Sequence, residues 1–395
     1  MTHKRARLGG VCEIKGGKRL PAGHSFADTP TAHPYIRGRD IKGGRITIDA
    51  PVYVTDDTAL QISRYTVTTG DALLTIVGNI GDVAIVPDWL DGANLTENAA
   101  RLRAKAGFDQ HYLGLALQAP DARQQMERSA AGAAQAKLGL YKIAEIEVWA
   151  PPLPTQRRIA GILSAYDDLI ENNTKRIKIL EEMARALYRE WFVHFRFPGH
   201  EKVRLVDSPL GQIPEAWEAS PLKPLVLRIK NKPVYKEADV GVAGDVIVVD
   251  QSRSELLGFH DGAATHQASP KDPMVLFGDH TCKMQLMVQR FSTGPNVVTF
   301  RAKVIRPLTW LFFTVQDLVE TKEYKRHWSE LMGKSVAIPT AALCDDFAAA
   351  VTPFLELTEV LKAQSRTLFD TRDLLLPRLI SGEIDVDNLD LPEVA

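Results

Sequence analysis

The chain has 395 residues, of which 45% are hydrophobic and 25% charged, with a formal net charge of -1. That length exceeds what one hydrophobic core serves and predicts two globular units or more. No run of 18 apolar residues suggests a membrane span, and the start, MTHKRARLGGVCEIKGG, lacks an apolar signal core. Cys12, Cys282 and Cys344 form no CxxC pair and no four-ligand zinc set, so neither a disulfide nor a structural metal is expected, and a reducing cytoplasm is.

Charge is unevenly distributed. Residues 1 to 45 hold ten Lys or Arg against Glu13, Asp28 and Asp40, and no acidic residue occurs from His280 to Gln316, where Lys283, Arg290, Arg301, Lys303 and Arg306 lie. Two separate basic surfaces follow, the bland alternative being two solvated faces.

In chain order, RITIDAPVYVT, ALLTIV and DVAIVP are β-rich, and Gly78, Asn79 and Gly81 mark a tight hairpin turn between the last two. Next comes PLPTQRRIAGILSAYDDLIENNTKRIKILEEMARALYREWF. Ile159, Leu163, Tyr166, Ile170, Asn173, Ile177, Leu180, Ala184, Leu187 and Trp191 alternate in steps of four and three, a heptad seam. Asn173 is its polar register mark, and Thr155 is the expected N-cap. A helix over 155–191 is about 55 Å long at about 1.5 Å per residue, stopping by Pro198 and Gly199.

A short linker, SPLGQIPEAWE, leads into a second globule, whose TGPNVVTFRAK echoes NLTENAARLRAK in the first. A second heptad series follows in Phe354, Leu361, Leu368 and Leu375, with Thr352 and Pro353 read as N-cap and first helical residue, and Pro377 as the stop or kink after Leu376. A shift of 188 lays Leu180, Leu187 and Trp191 over Leu368, Leu375 and Leu379, which makes the helices a diverged repeat. Because one helix leaves the first globule and the other begins where the second ends, they are expected to pack antiparallel, with Thr358 and Ser365 as partners for Asn173. The predicted fold is α/β (α+β): two mixed α/β domains separated by two long antiparallel helices in an intramolecular coiled coil, with a pseudo-twofold internal repeat. The expected boundaries are 1–150 and 199–337 for the domains (the latter with its linker), 151–198 and 338–385 for the spacer helices, and 386–395 for a tail.

Catalytic patterns are missing. LMGKS has Trp328 where a phosphate loop requires Gly, and HExxH, GxSxG and GxGxxG do not occur. APPL at 150–153 lacks the flanks of an adenine methyltransferase motif. His194, His260, His266 and His280 are spaced too irregularly for a metal set, and Asp167 and Asp168, about 100° apart on a helix, make a poor acid/base pair.

The helices carry a resemblance. The segment PPLPTQRRIAGILSAYDDLIENNTKRIKILEEMARALYREWFVHF, with LLLPRLISGEI, GQIPEAWE and GDALLTIVGNIGDVAIVP followed by NLTENAARLRAK, resembles the specificity subunit of type I restriction-modification systems. The resemblance runs over nearly the whole chain and is weakest at 219–335. It implies a noncatalytic subunit whose two target recognition domains each read half of a split DNA sequence, the helices acting as a ruler. It also implies two methyltransferase subunits using S-adenosylmethionine to methylate adenine, and restriction subunits adding ATP-driven translocation and cleavage. No cofactor is expected on this chain; S-adenosylmethionine, ATP and Mg belong to the partners. The competing reading is a standalone coiled-coil DNA-binding regulator that dimerises through 155–191.

Base reading needs paired donors or acceptors, whereas phosphate contact needs only positive charge or a hydroxyl. The first-domain candidates are Lys18 and Arg19 in GGKRLPAG, Arg37 and Arg39 in YIRGRD, Thr75, Asn79 and Asn98, and Gln135 and Lys137 in AAGAAQAKLG. The alternative assignment pairs Arg37 and Arg39 with Asp40 or Asp28 and leaves Asn79 holding its hairpin. Second-domain candidates are Lys230 and Lys232, then His280, Thr281 and Lys283 where the first domain has its GNIGD turn, and Lys334 and Ser335 before the second helix. Seam residues are assigned to helix packing.

Overall fold

A computed structural model describes residues 3–48, 50–130, 136–252, 256–304, 306–321, 323 and 325–387. The chain forms two compact units, residues 1–172 with 365–395, and residues 173–364.

Unit 1 is built on a four-stranded antiparallel sheet in the order Cys12–Gly16, Ala99–Ala104, Ala72–Thr75, Val83–Ile85. All four residues of Ala72–Thr75 are buried, because this strand has a neighbour on each edge and packing on both faces. One of those layers is the helix Gln110–Gln118, capped by Asp109, whose Oδ1 accepts from the Tyr112 amide at 2.9 Å. A three-stranded sheet has Pro34–Ile36 at its centre, antiparallel to Val52–Tyr53 and parallel to Asn94–Leu95. The expected hairpin turn is present, with Gly78 at φ 85° and Gly81 at φ 91°, conformations that side-chain-bearing residues rarely adopt.

Unit 2 repeats this plan. Val226–Ile229, Val297–Ala302, Met274–Gly278 and Met284–Met287 form a four-stranded antiparallel sheet in the equivalent order. Val246–Val249 is antiparallel to Gly258–His260 and parallel to Phe291–Thr293, as Pro34–Ile36 is to its own neighbours. The faint RAK echo marks equivalent strands: the Lys105 amide donates to Val11 O and the Lys303 amide to Leu225 O, each at 2.8 Å. The unit 2 core is heavily aromatic, joining Phe192, Trp217, Phe277, Phe300, Trp310 and Phe347.

The central helix runs Leu153–Tyr188, followed by a π-helical turn at Arg189–Val193, and the distal helix runs Ala341–Ser381. Every residue of the central seam is buried or half-buried, as are Phe354, Leu361, Leu368 and Leu375. Within unit 1 the helices are antiparallel: Thr155 Oγ1 donates to Asp387 at 2.9 Å, Ile159 and Leu163 share a core with Leu376, Leu379 and Ile380, and Asp167 meets Arg372 at 3.1 Å. Within unit 2, Tyr188 and Trp191 pack on Phe347 with ring centroids 6.0 and 6.1 Å apart.

Three helix-end expectations are corrected. Thr155 lies inside the central helix, which starts at Leu153, and its hydroxyl serves the contact with Asp387. Thr352 and Pro353 are interior to the distal helix, which starts at Ala341 behind Thr340, whose Oγ1 accepts from the Leu343 amide at 3.4 Å. The helix also continues through Pro377 to Ser381. An interior proline costs about 3 kcal/mol in a helix, but Phe347 and Val351 before Pro353, and Leu376, Leu379 and Ile380 around Pro377, are buried, and that packing outweighs the two lost hydrogen bonds. Asn173 and Thr358 are buried, at 7% and 5% exposure, whereas the Ser365 hydroxyl is buried without a hydrogen-bond partner, so Ser365 does not pair as expected. No described helix is long and apolar enough to cross a membrane.

Candidate nucleic-acid interface

One end of the unit 1 sheet carries the loop after Cys12–Gly16, the hairpin turn after Ala72–Thr75 and the turn before Ala99–Ala104, with the segment after Pro34–Ile36 closing over them. Here lies a recess of about 800 Å³, lined by six of the expected residues: Arg19, Arg37, Arg39, Thr75, Asn79 and Asn98. Leu20, Phe26, Tyr35, Val52 and Val77 supply its apolar walls, and Glu97 a carboxylate.

The loop backbone is pinned. Gly17 N donates to Ala99 O at 3.0 Å, Lys18 N to Leu95 O at 2.8 Å, and Tyr35 OH to Lys18 O at 2.7 Å. A Cβ on Gly17 would overlap the carbonyl oxygens of Leu95 and Thr96, so only glycine permits this approach. Burial pushes the Tyr35 phenol above its usual value of 10.0, which keeps it protonated as a donor. Asn98 O accepts from the Ile76 and Val77 amides at 2.8 and 3.3 Å, which fixes the hairpin against the neighbouring strand.

The charged side chains divide into committed and free. Arg37 makes a two-pronged contact to Asp40, Nε and Nη2 each 2.9 Å from a carboxylate oxygen, and Nη2 also reaches Ala50 O. With Asp40 only 3% exposed, this pair shapes the loop, as the alternative assignment has it. Arg19 is loosely held, its Nε 3.3 Å from Glu97 with 76% of its side chain exposed. Arg39 is exposed and, among the described residues, has no ion-pair or hydrogen-bond partner for its guanidinium; the carboxamides of Asn79 and Asn98 are likewise uncommitted. Thr75 Oγ1 is buried without a hydrogen-bond partner.

Lys18 is exposed beside the recess, its ammonium 5.9 Å from the Tyr65 ring centroid. Lys137 is exposed and bridges through its backbone to Val77, a recess residue, while Gln135 lies outside the described residues. The residues missed by sequence reasoning are Glu97, Phe26 and Tyr35. Glu97 adjoins Asn98 in the quoted NLTENAARLRAK, so the signal was at hand: an acceptor-only side chain beside a candidate base reader.

In unit 2, Lys230, Lys232 and the turn bearing His280, Thr281 and Lys283 stand at the equivalent end of the sheet, since Ile229 pairs with Thr299 and Gly278 with Val297. Lys230 and Lys232 are exposed. Thr281 Oγ1 donates to Gln251 O at 2.7 Å and Lys283 Nζ reaches Asp250 O at 3.5 Å, which ties this turn to its neighbour. Lys334 and Ser335 lie elsewhere: Lys334 O accepts from the Leu222 amide and Ser335 pairs with Pro221, at the other end of the Val226–Ile229 strand. The basic run is also partly consumed, as Arg301 pairs with Asp272 at 2.9 Å and Arg306 donates to Pro339 O. Burial, then Arg301, lowers the His266 pKa, and its Nε2 meets Asn231 Oδ1 at 2.9 Å. Among the described residues no group of three or more His, Cys, Asp or Glu could hold a metal.

Such a surface suits a polyanion with readable edges. Arginine and asparagine present paired hydrogen-bonding groups that match guanine and adenine edges respectively, and a hydroxyl or lysine holds phosphate.

Comparisons with known proteins converge on the same reading. Residues 2–182 match the family described as "Type I restriction modification DNA specificity domain". The type I restriction enzyme MjaIX specificity subunit of Methanocaldococcus jannaschii is 24% identical over 345 residues, covering 81% of this chain and 79% of that protein. The putative MjaX specificity subunit of the same organism is 29% identical over 213 residues, 52% and 47% of the two chains. Among solved structures, the type I restriction-modification S subunit from M. genitalium has the same fold, with a TM-score of 0.59 at 13% identity, over 96% of each chain. These relatives favour DNA sequence recognition within a type I system and give no support to a standalone dimeric regulator. Residues 2–182 are thus similar to the type I DNA specificity domain, and 81% of the chain is similar to a type I restriction enzyme specificity subunit.

Proposed function

We propose that this subunit reads a split DNA target, the unit 1 recess and its rim binding one half and the equivalent sheet end of unit 2 the other. The observation that carries this reading is the repeated sheet plan, with uncommitted polar and cationic side chains at the same end in both units: Arg39, Asn79 and Asn98 in one, Lys230 and Lys232 in the other. Arg39, Asn79 and Asn98 meet base edges, with the buried Thr75 at the floor beneath them; Lys18, Arg19, Lys137, Lys230, Lys232, His280 and Lys283 meet phosphate or sugar. Lys334 and Ser335 are left out of the contact surface.

Type I specificity subunits act in complexes with other subunits and DNA. Here the long helices serve as the spacer, and their faces outside the seam dock two methyltransferase subunits. Leu169, Ile179 and Met183, exposed on the central helix at 51%, 56% and 46%, support that docking. S-adenosylmethionine, ATP and Mg are held by the methyltransferase and restriction subunits, and the complex works in the cytoplasm.

The test is methylation mapping of the host genome with and without this gene. Loss of adenine methylation at one split motif is expected; persistence of every methylated motif refutes the assignment. Arg39→Ala then probes the recess, with target binding by the assembled complex expected to fall about 5- to 100-fold for a lost base contact.

A further inference from the structure

A carboxylate facing a DNA surface repels phosphate, so its presence in the recess requires a compensating role. Glu97 is such a group, one third of its side chain exposed at the recess wall. Both oxygens are oriented: Oε1 lies 3.3 Å from Arg19 Nε, and Oε2 accepts from Thr96 Oγ1 at 3.1 Å. Its backbone is equally fixed, with Thr96 N bonded to Ile36 O at 3.0 Å and Asn98 O taking the Ile76 and Val77 amides. The clamp is asymmetric. Thr96 is 5% exposed and stays in place, whereas Arg19 is 76% exposed and swings to a phosphate at little cost. Once it does, Oε1 presents lone pairs to the recess beside the uncommitted carboxamide of Asn98.

We propose that Glu97 is a specificity-determining residue of the first half-site, accepting a hydrogen bond from the exocyclic amino group of one adenine or cytosine in the major groove. This rests on the recess being the DNA interface of unit 1. An ionised carboxylate only accepts, so N6 of adenine or N4 of cytosine satisfies it. The O6 of guanine and O4 of thymine set oxygen against oxygen and are rejected. Arg19 acts as the gate: it neutralises Glu97 in the free protein and exchanges it for a phosphate on binding.

The test uses the full-length subunit assembled with its methyltransferase, and oligonucleotides carrying the mapped target. Each adenine or cytosine of the half-site read by unit 1 is replaced singly by a base lacking the amino group, purine or 2-pyrimidinone. Like any adenine read by Asn79 or Asn98, the position read by Glu97 is expected to lose binding by about 5- to 100-fold. Glu97→Gln, an isosteric change at a part-exposed position, is expected to admit a keto base at that position alone, because an amide also donates. Glu97→Asp keeps the amino preference with weaker binding. Insensitivity of every position to amino removal overturns the proposal, as does an unchanged base preference in Glu97→Gln when Arg39→Ala and Asn98→Ala still weaken binding. If those two variants also bind as wild type, the recess reading itself falls.

Discussion

Replacing Gly17 by alanine places a methyl carbon 2.6 Å from the Thr96 carbonyl carbon and in overlap with the carbonyl oxygens of Leu95 and Thr96. All three atoms are backbone, so no rotamer relieves the clash. The strand end must move away, which breaks Gly17 N to Ala99 O and Lys18 N to Leu95 O. Overpacking costs about 1–3 kcal/mol and two net backbone hydrogen bonds about 2 more, giving about 3–5 kcal/mol. For a unit of this size that lowers its unfolding temperature by about 6–20 °C. The neighbouring Gly16 is the control: its Cβ would meet Leu140 Cδ1 at 3.5 Å, an ordinary contact, so Gly16→Ala stays within about 1 kcal/mol of wild type. Calorimetry of both variants, with binding of the mapped target, measures the difference. Gly17→Ala is expected to lose target binding along with stability, since Lys18, Arg19 and Tyr35 hang on the same loop. Equal unfolding temperatures for the two variants would refute the steric argument.

Pro353→Ala restores an amide to the distal helix at an exposed position and is expected to raise stability by about 1–3 kcal/mol, read as the denaturation midpoint at constant m-value; a loss would show that the helix is bent there to fit its neighbours. Burial raises the Asp167 pKa above its ordinary 3.8, with Arg372 and Arg45 pulling it back. The folded state therefore keeps that proton after the unfolded chain has released it. This contribution to stability is complete below pH 3.8 and disappears as pH rises through the raised value. Asp167→Asn should match wild type in acid and gain on it across that window; the opposite slope would mean that attraction to Arg372 outweighs desolvation. Inserting seven residues in both long helices adds about 10 Å, about three base pairs, to the permitted spacer, with both half-site sequences unchanged in the methylation map; altered half-sites would sink the ruler.

Patterns that repeat within a few residues were legible from sequence. The heptad seams, the turn at Gly78 to Gly81 and the paired RAK strands all reflect local periodicity or local φ requirements, and all are present. Helix ends were misread because Thr352, Pro353 and Pro377 are local stop and start signals overridden by packing along a 41-residue helix. Contacts between distant residues left no sequence mark. Nothing local shows that Gly17 abuts Thr96, or that Arg372 reaches Asp167 and Gln118 from the distal helix. The recess shows both sides of this: its cationic and amide residues were recognisable by type, but that Arg37 is spent on Asp40 while Arg39 is free is a matter of rotamer and burial.

Unit 1 is assembled from residues far apart in order of synthesis. The His3 amide bonds to Ser381 O, and Thr155 and Arg158 bond to Val386 and Asp387. Unit 2, by contrast, is one continuous stretch, 173–364. On the ribosome the second unit can therefore close while the first still waits for its last helix. Until that helix emerges, Leu163, Ile159 and the sheet beneath them lack their cover, so the first unit matures last although its translation begins first. A transcript or ribosome that stops short of residue 365 would thus yield a protein with one finished unit and one open core, a natural substrate for quality-control proteases.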